Sequence, residues 1–306
     1  MCGHYQQLTA LVSTAKELAR RAPELLDRID FIAFPAEEYV ELDRRRKLRE
    51  QSGTITYLSG KQELLHRGAL DGYAAIIATH SAGLPQQRMV SSVRRMNGFD
   101  ELKLTFHGVS AHAGAAPHKG RNAQNAASLF LQAAAFLRER FQEEEHIRIH
   151  PVLRLPPDQP VSFVPDTAVV ESYVRGATPE AVERTAGELI DAAQGCAKAI
   201  GVTVEINLQP GYQPLETNNL LHELVGNTAR DLGIDFEDEE FGAASTDVGD
   251  ISQQIPAVIV GLPGTNGRFH RPDFQTVDES LAFDFPPEFL VAYLQNVLDH
   301  TAELKD

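Results

Sequence analysis

Three short runs of branched and aromatic residues, each stopped by a turn or a polar pair, constrain this chain most. Ile29-Asp30-Phe31-Ile32-Ala33-Phe34 ends at Pro35, Ala74-Ala75-Ile76-Ile77-Ala78 at Thr79-His80, and Pro256-Ala257-Val258-Ile259-Val260 at Gly261. Apolar residues at successive positions read as strands covered on both faces, the pattern of parallel strands in α/β folds. Helical spacing surrounds them. Leu8, Leu11, Val12, Ala15, Leu18 and Ala19 recur at three and four, and later helices are predicted over 216–232 and 286–304.

The middle of the chain has another texture. Glu101-Leu102-Lys103-Leu104-Thr105-Phe106 alternates polar and apolar, and 169–174 and 202–206 read as further strands of the same set. Such strands have one wet face and belong to antiparallel sheets. An alanine-rich helix is predicted over 122–141. A second, over 178–200, opens with Thr178-Pro179-Glu180, an N-cap followed by a first-turn proline. A small antiparallel sheet layered with two helices is therefore expected as an insert over 98–208, with 1–97 and 209–306 forming one discontinuous α/β domain.

Charge and composition remove several functions. Lys and Arg number 28 against 43 Asp and Glu, a net charge of −15. Such a surface repels phosphate backbones and anionic membranes, so neither nucleic acid nor a membrane is an expected partner. No apolar run reaches the roughly 18 residues of a membrane span. The opening Met1-Cys2-Gly3-His4 has no basic region and no apolar core, unlike a secretory signal. Cys2 and Cys196 make no disulfide framework, which points to a reducing cytoplasm. Arg44-Arg45-Arg46-Lys47 and Arg49, flanked by Glu41, Asp43 and Glu50, read as a solvated helix face, with an anion-binding patch as the lesser reading.

Several polar residues stand where α/β folds bind ligands, beyond the carboxyl ends of strands. Glu37 and Glu38 follow the first apolar run, and His80 ends the second. His270 follows the Gly261–Gly267 loop after the third, and Cys2 and His4 form a Cys-x-His pair. Each alone has an ordinary structural explanation: a helix start for the acids, a hydrogen-bonded histidine, a chance spacing. Together Cys2, His4, Glu38, His80 and His270 would hold two cations about 3.5–4 Å apart. Glu37 would then remain beside them as a general base. In the insert, Gly108-Val109-Ser110-Ala111-His112-Ala113-Gly114-Ala115-Ala116-Pro117 offers His112 from a glycine-flanked turn, suited to a developing oxyanion.

The ordered set resembles the M20 metallopeptidase family. It comprises Cys-Gly-His, Pro-Ala-Glu-Glu, His80, the Ala111-His112-Ala113-Gly114…Pro117…Gly120…Asn122-Ala123 run and His270. It is most similar to the amidohydrolase branch of aminoacylases, indole-acetyl-amino-acid hydrolases and aminobenzoyl-glutamate hydrolase-like proteins, whose Ser-Thr-Asp-Val-Gly segment resembles Ser245–Gly249. The resemblance implies an α/β dimetal-hydrolase domain, a mixed sheet flanked by helices, carrying an inserted α+β lid that also dimerises. It implies Cys2, His4, Glu38, His80 and His270 as ligands of two divalent ions, zinc or manganese first and cobalt also admissible. Glu37 would be the base, His112 an oxyanion donor reaching the partner subunit's site, and Arg175, Ser162 and Asn122 substrate contacts.

Three departures accompany the match. Relatives carry early strands and a helix ahead of Cys-Gly-His, and without them the sheet would expose edges. Ser162 stands where the family often has asparagine. Tyr5 and Gln6 follow His4 where relatives often have Asp-Gly or Asn-Leu, which alters the groups orienting the ligand imidazole. The expected activity is metal-dependent hydrolysis of an N-acyl amino acid or related amide-linked carboxylate. The alternatives are a truncated dimeric remnant without strong activity, and a dipeptidase.

Overall fold

The computed structural model describes residues 3–36, 39, 41–84 and 87–305, the side chains of 43 and 305 aside. In chain order it begins with α1 (His4–Arg21), α2 (Leu42–Ser52), α3 (Gly60–His66), β1 (Ile76–Ser81) and β2 (Met89–Met96). Next come β3 (Gly98–His107), α4 (Ala123–Leu137), β4 (Arg148–Ile149), β5 (Val152–Arg154), β6 (Thr167–Gly176), α5 (Pro179–Ile200) and β7 (Thr203–Pro210). The rest comprises β8 (Leu215–Glu216), α6 (Asn219–Asp231), β9 (Asp235–Gly242), α7 (Val248–Ser252), β10 (Ala257–Leu262), β11 (Thr265–Asn266), β12 (Gln275–Thr276) and α8 (Phe285–Asp299). The chain divides into two compact units. One comprises Met1–Met96, Leu215–Gly242 and Asp247–Asp306; the other comprises Asn97–Pro214 and Ala243–Thr246.

The larger unit is a mixed α/β layer. β10 lies between β1, which runs parallel to it, and β2, which runs antiparallel; the short β8 and the longer β9 both pair with β2. All six residues of β10 are buried, and the period of two explains how. Val258, Val260 and Leu262 join Phe289 and Tyr293 of α8 and Leu221 and Val225 of α6 on one face. Ala257 and Ile259 join Leu70, Leu215 and Ile251 on the other. β1 continues past the predicted stop at Thr79-His80, because its register with β10 carries on to Ser81 opposite Leu262.

The strand predicted over 29–34 does not form. Ile29 and Phe31 pack with Leu18, Ala22 and Val291, while Ile32 and Phe34 pack with the Leu70 cluster. The alternation of an extended chain is kept, but among the described residues the backbone finds no ladder partner. β9, Asp235-Phe236-Glu237-Asp238-Glu239-Glu240-Phe241-Gly242, pairs in parallel with β2 and carries five acids. Neither β2 nor β9 is apolar enough to announce itself as a strand.

The smaller unit is an antiparallel sheet with two helices on one face. The order is β4–β6–β3–β7, with β5 also on β6. Leu102, Leu104 and Phe106 of β3 and Ala168, Val170 and Val174 of β6 turn toward Phe130 of α4 and Leu189 of α5. Glu171 and Lys103 lie across from each other on the opposite face. Both helices start as their residue types require. Asn122 Oδ1 accepts from Asn125 N at 3.1 Å and Thr178 Oγ1 from Ala181 N at 3.2 Å, each satisfying an orphan donor of a first turn.

Candidate active site

In the larger unit the histidine-bearing segments meet at the carboxyl end of β1. His4 is the first residue of α1, directly after Gly3. Gly3 adopts φ +89°, and a Cβ there would land 1.9 Å from Ser81 Oγ, so only glycine allows this approach of α1 to β1. The His80 ring packs edge-on against Phe269, centroids 5.4 Å apart, and Phe269 packs on Phe274. This brings the turn bearing His270 to the same end of the strand. His270 itself is left-handed, φ +62°, a conformation that non-glycine residues adopt at some cost. Among the described residues no three His, Cys, Asp or Glu side chains close on one point as a metal site. Cys2, Glu37 and Glu38 lie outside the described residues.

The donor chemistry at His80 nevertheless fits a metal. Its Nδ1 lies 2.8 Å from Ser81 O. A carbonyl only accepts, so the proton sits on Nδ1 and the lone pair on Nε2. This is how a ligand imidazole is oriented by its surroundings. Thiolate, imidazole and carboxylate, the donor types of Cys2, His4, His80, His270 and Glu38, suit zinc.

In the smaller unit His112 has the opposite tautomer. Its Nδ1 accepts from Gly114 N at 3.2 Å and Ala115 N at 3.1 Å, which leaves Nε2 as the N–H donor. The ring is exposed. Its strand-like partner is the Pro160–Val164 stretch: Ala113 N donates to Ser162 O and Val164 N to Ala111 O, both at 2.8 Å. Exposed Ser162 therefore stands beside the His112 turn. Asn122 spends its Oδ1 on capping α4.

Arg175 is half-buried on β6. Its Nη1 donates to Ser245 Oγ at 2.6 Å, and its Cζ lies 5.2 Å from the Phe99 ring and 5.4 Å from the Tyr173 ring. Burial lowers its pKa from the usual arginine value. Ser245 belongs to this unit because Ala243–Thr246 returns to it. No periodicity or spacing signals that return; the only trace in sequence is the Ser-Thr-Asp-Val-Gly resemblance.

Sequence reasoning also missed a buried polar cluster in the larger unit. The fully enclosed Asp247 carboxylate accepts from Ser59 Oγ and Lys61 Nζ, both at 2.7 Å, and Lys61 Nζ lies 5.2 Å from the Phe34 ring. Gly60, between those two donors, gives its N–H to Ala36 O at 3.4 Å. The cluster thus anchors the backbone immediately before Glu37.

A discontinuous α/β unit with an inserted α+β unit and histidines at a strand end has the layout of a metallohydrolase. Residues 1–284 match Peptidase family M20/M25/M40, and the chain belongs to this family of amide-bond hydrolases. An N-acetylcysteine deacetylase of Bacillus subtilis (strain 168) is 24% identical over 302 residues, covering 97% of this chain and 74% of the relative. An N-acetyldiaminopimelate deacetylase of Lactococcus lactis subsp. cremoris (strain SK11) is 25% identical, covering 92% and 71%. Among solved structures, the Bacillus subtilis YXEP protein, described as a dinuclear metal binding peptidase from the M20 family, superposes with a TM-score of 0.72. It has 19% identity over 97% of this chain and 73% of its own. Aminopeptidase PepT from Bacillus cereus ATCC 10987 gives 0.61, with 18% identity over 84% and 69%. No helix among the described residues is long and apolar enough to cross a membrane.

Proposed function

We propose that the protein is a metal-dependent amidohydrolase acting on an N-acyl amino acid or a related amide-linked carboxylate. The observation that carries the substrate class is Arg175. Its guanidinium is half-buried, fixed by Ser245 and two aromatic faces, and no carboxylate of the described residues pairs with it. A desolvated cation left so in a chain of net charge −15 is suited to an anionic ligand. A planar carboxylate matches its fork of donors. The names of the two deacetylase relatives point to the same class.

Cys2, His4, Glu38, His80 and His270 would hold two divalent ions, zinc or manganese, with cobalt as a third candidate. Bound there, the ions would polarise the amide carbonyl and acidify water. Glu37 takes the proton of the attacking water and returns one to the departing amine. His112, with Nε2–H as its donor, serves the oxyanion that develops on the substrate. Ser162 stands to assist it, and the Asn122 amide nitrogen is the atom that a substrate would meet. The smaller unit acts as a lid and joins two subunits as a homodimer.

The test is hydrolysis of a panel of N-acyl amino acids, their carboxamide counterparts and dipeptides, with zinc, manganese and cobalt added separately. Arg175→Met is expected to raise KM for the carboxylates at least tenfold and to leave the carboxamides nearly unaffected. Equal effects on both remove Arg175 from substrate binding. Preference for dipeptides makes the enzyme a dipeptidase, and purified protein that neither binds metal nor turns over any substrate is a remnant. Glu37→Gln is expected to abolish turnover with metal still bound; activity retained in that variant removes Glu37 from the mechanism.

A further inference from the structure

We infer that Gln6 and Ser81 are positioning residues that hold the three histidine-bearing segments in register for metal; the inference rests on the metal-dependent reading above. Gln6 is wholly buried and Ser81 is 2% exposed. The Gln6 amide uses both of its ends. Nε2 donates to Pro263 O at 2.6 Å and to Ala282 O at 3.3 Å, and Oε1 accepts from Ser81 Oγ at 2.5 Å. These partners are placed with respect to the histidines. Gln6 lies two residues past His4 in the first turn of α1, and Ser81 follows His80 at the end of β1. Pro263 opens the loop that leads to His270. One side chain thus touches or belongs to every segment that carries a described histidine of the expected ligand set.

The neighbouring backbones show how tightly the junction is set. Gly3 and Gly264 both adopt φ +89°; a Cβ on the first would lie 1.9 Å from Ser81 Oγ, and one on the second 2.5 Å from Ala282 N. Tyr5 adds a second tie, its hydroxyl 2.8 Å from Thr276 Oγ1 on β12, the second strand of the hairpin whose turn carries His270. An apolar side chain of similar volume would fill the same space. Only an amide fixes the relative offset of three segments, because its bonds are directional. Metal ligands tolerate displacements of only about 0.2 Å, so offset is what a metal site needs and what packing alone does not specify.

The experiment uses full-length wild type, Ser81→Ala, Ser81→Thr and Gln6→Met, stripped of metal. Each is titrated with zinc or manganese alone, in competition with a chromophoric chelator and well below its metal-free melting temperature. The expected result is an affinity about 10–100-fold weaker for Ser81→Ala and Gln6→Met, with Ser81→Thr, which keeps the hydroxyl, near wild type. If Gln6→Met does not fold, Ser81→Ala, which removes one oxygen, decides alone. Wild-type affinity in Ser81→Ala overturns the inference while leaving the metal reading intact. A wild type that binds neither ion sinks both, and the two failures are told apart by that one titration.

Discussion

His222 shows how a single buried side chain sets a pH limit on stability. On α6 it is 2% exposed, with Nδ1 3.1 Å from Ser92 Oγ and Nε2 3.0 Å from Asp238 Oδ1. Burial, and then the nearby Arg94 charge, lower its pKa from 6.5, against the opposing pull of Asp238. The folded protein therefore keeps the imidazole neutral where the unfolded chain would take up a proton. Its contribution is present in full above pH 6.5 and is lost as pH falls from there toward the folded value. Denaturant titrations from pH 7.5 to 5 should show a shallower fall for His222→Gln than for wild type; parallel curves would refute this. Lys61 makes the complementary case. Asp247 is fully enclosed, so Lys61→Met removes the cation that neutralises a buried carboxylate and should cost about 3–5 kcal/mol in chemical denaturation. A loss near zero would mean that the carboxylate does not need the lysine charge.

Elements whose fate depends on their own residues were legible in the sequence. α5 begins where Thr178 and Pro179 say it should, and β3, β6 and β10 follow their alternation or their continuous burial. Elements whose fate depends on neighbours were not. The run over 29–34 has every strand residue it needs but no partner ladder among the described residues. β9 is a strand in spite of five acids, because Phe236 packs inward beside α6 while the charges stay wet. The site divides in the same way. Its candidate histidines and acids could be named from sequence because their residue types are conspicuous. Gln6, Ser81 and Ser245 could not, because hydrogen bonds spanning 70 or more positions leave no local spacing to read. The helix-on-sheet layer of the smaller unit makes its own prediction. Phe130 is buried between α4 and the sheet, so Phe130→Ala should cost about 3–5 kcal/mol. The measurement is thermal melting followed by a probe attached to that unit.

At the scale of the whole molecule the excess of 43 acids over 28 bases matters for encounter. A carboxylate substrate approaches against a negative field, which salt weakens as the Debye length falls from about 30 Å at 0.01 M to about 8 Å at 0.15 M. For a carboxylate substrate kcat/KM should therefore rise across that range, while for a neutral carboxamide analogue it should stay level; a falling value for the carboxylate would show that local positive charge governs capture. The same acids have a second use along β9, which among the described residues pairs with β2 alone and carries Asp235, Glu237, Asp238, Glu239 and Glu240. Unpaired strand rims invite stacking of one molecule on another, and like charges keep them apart. Acidify the solution toward the isoelectric point near 5.2 and the net repulsion between whole molecules fades, although these carboxylates keep most of their charge; below about pH 4 the guard itself goes and rims can meet, so storage belongs well on the alkaline side.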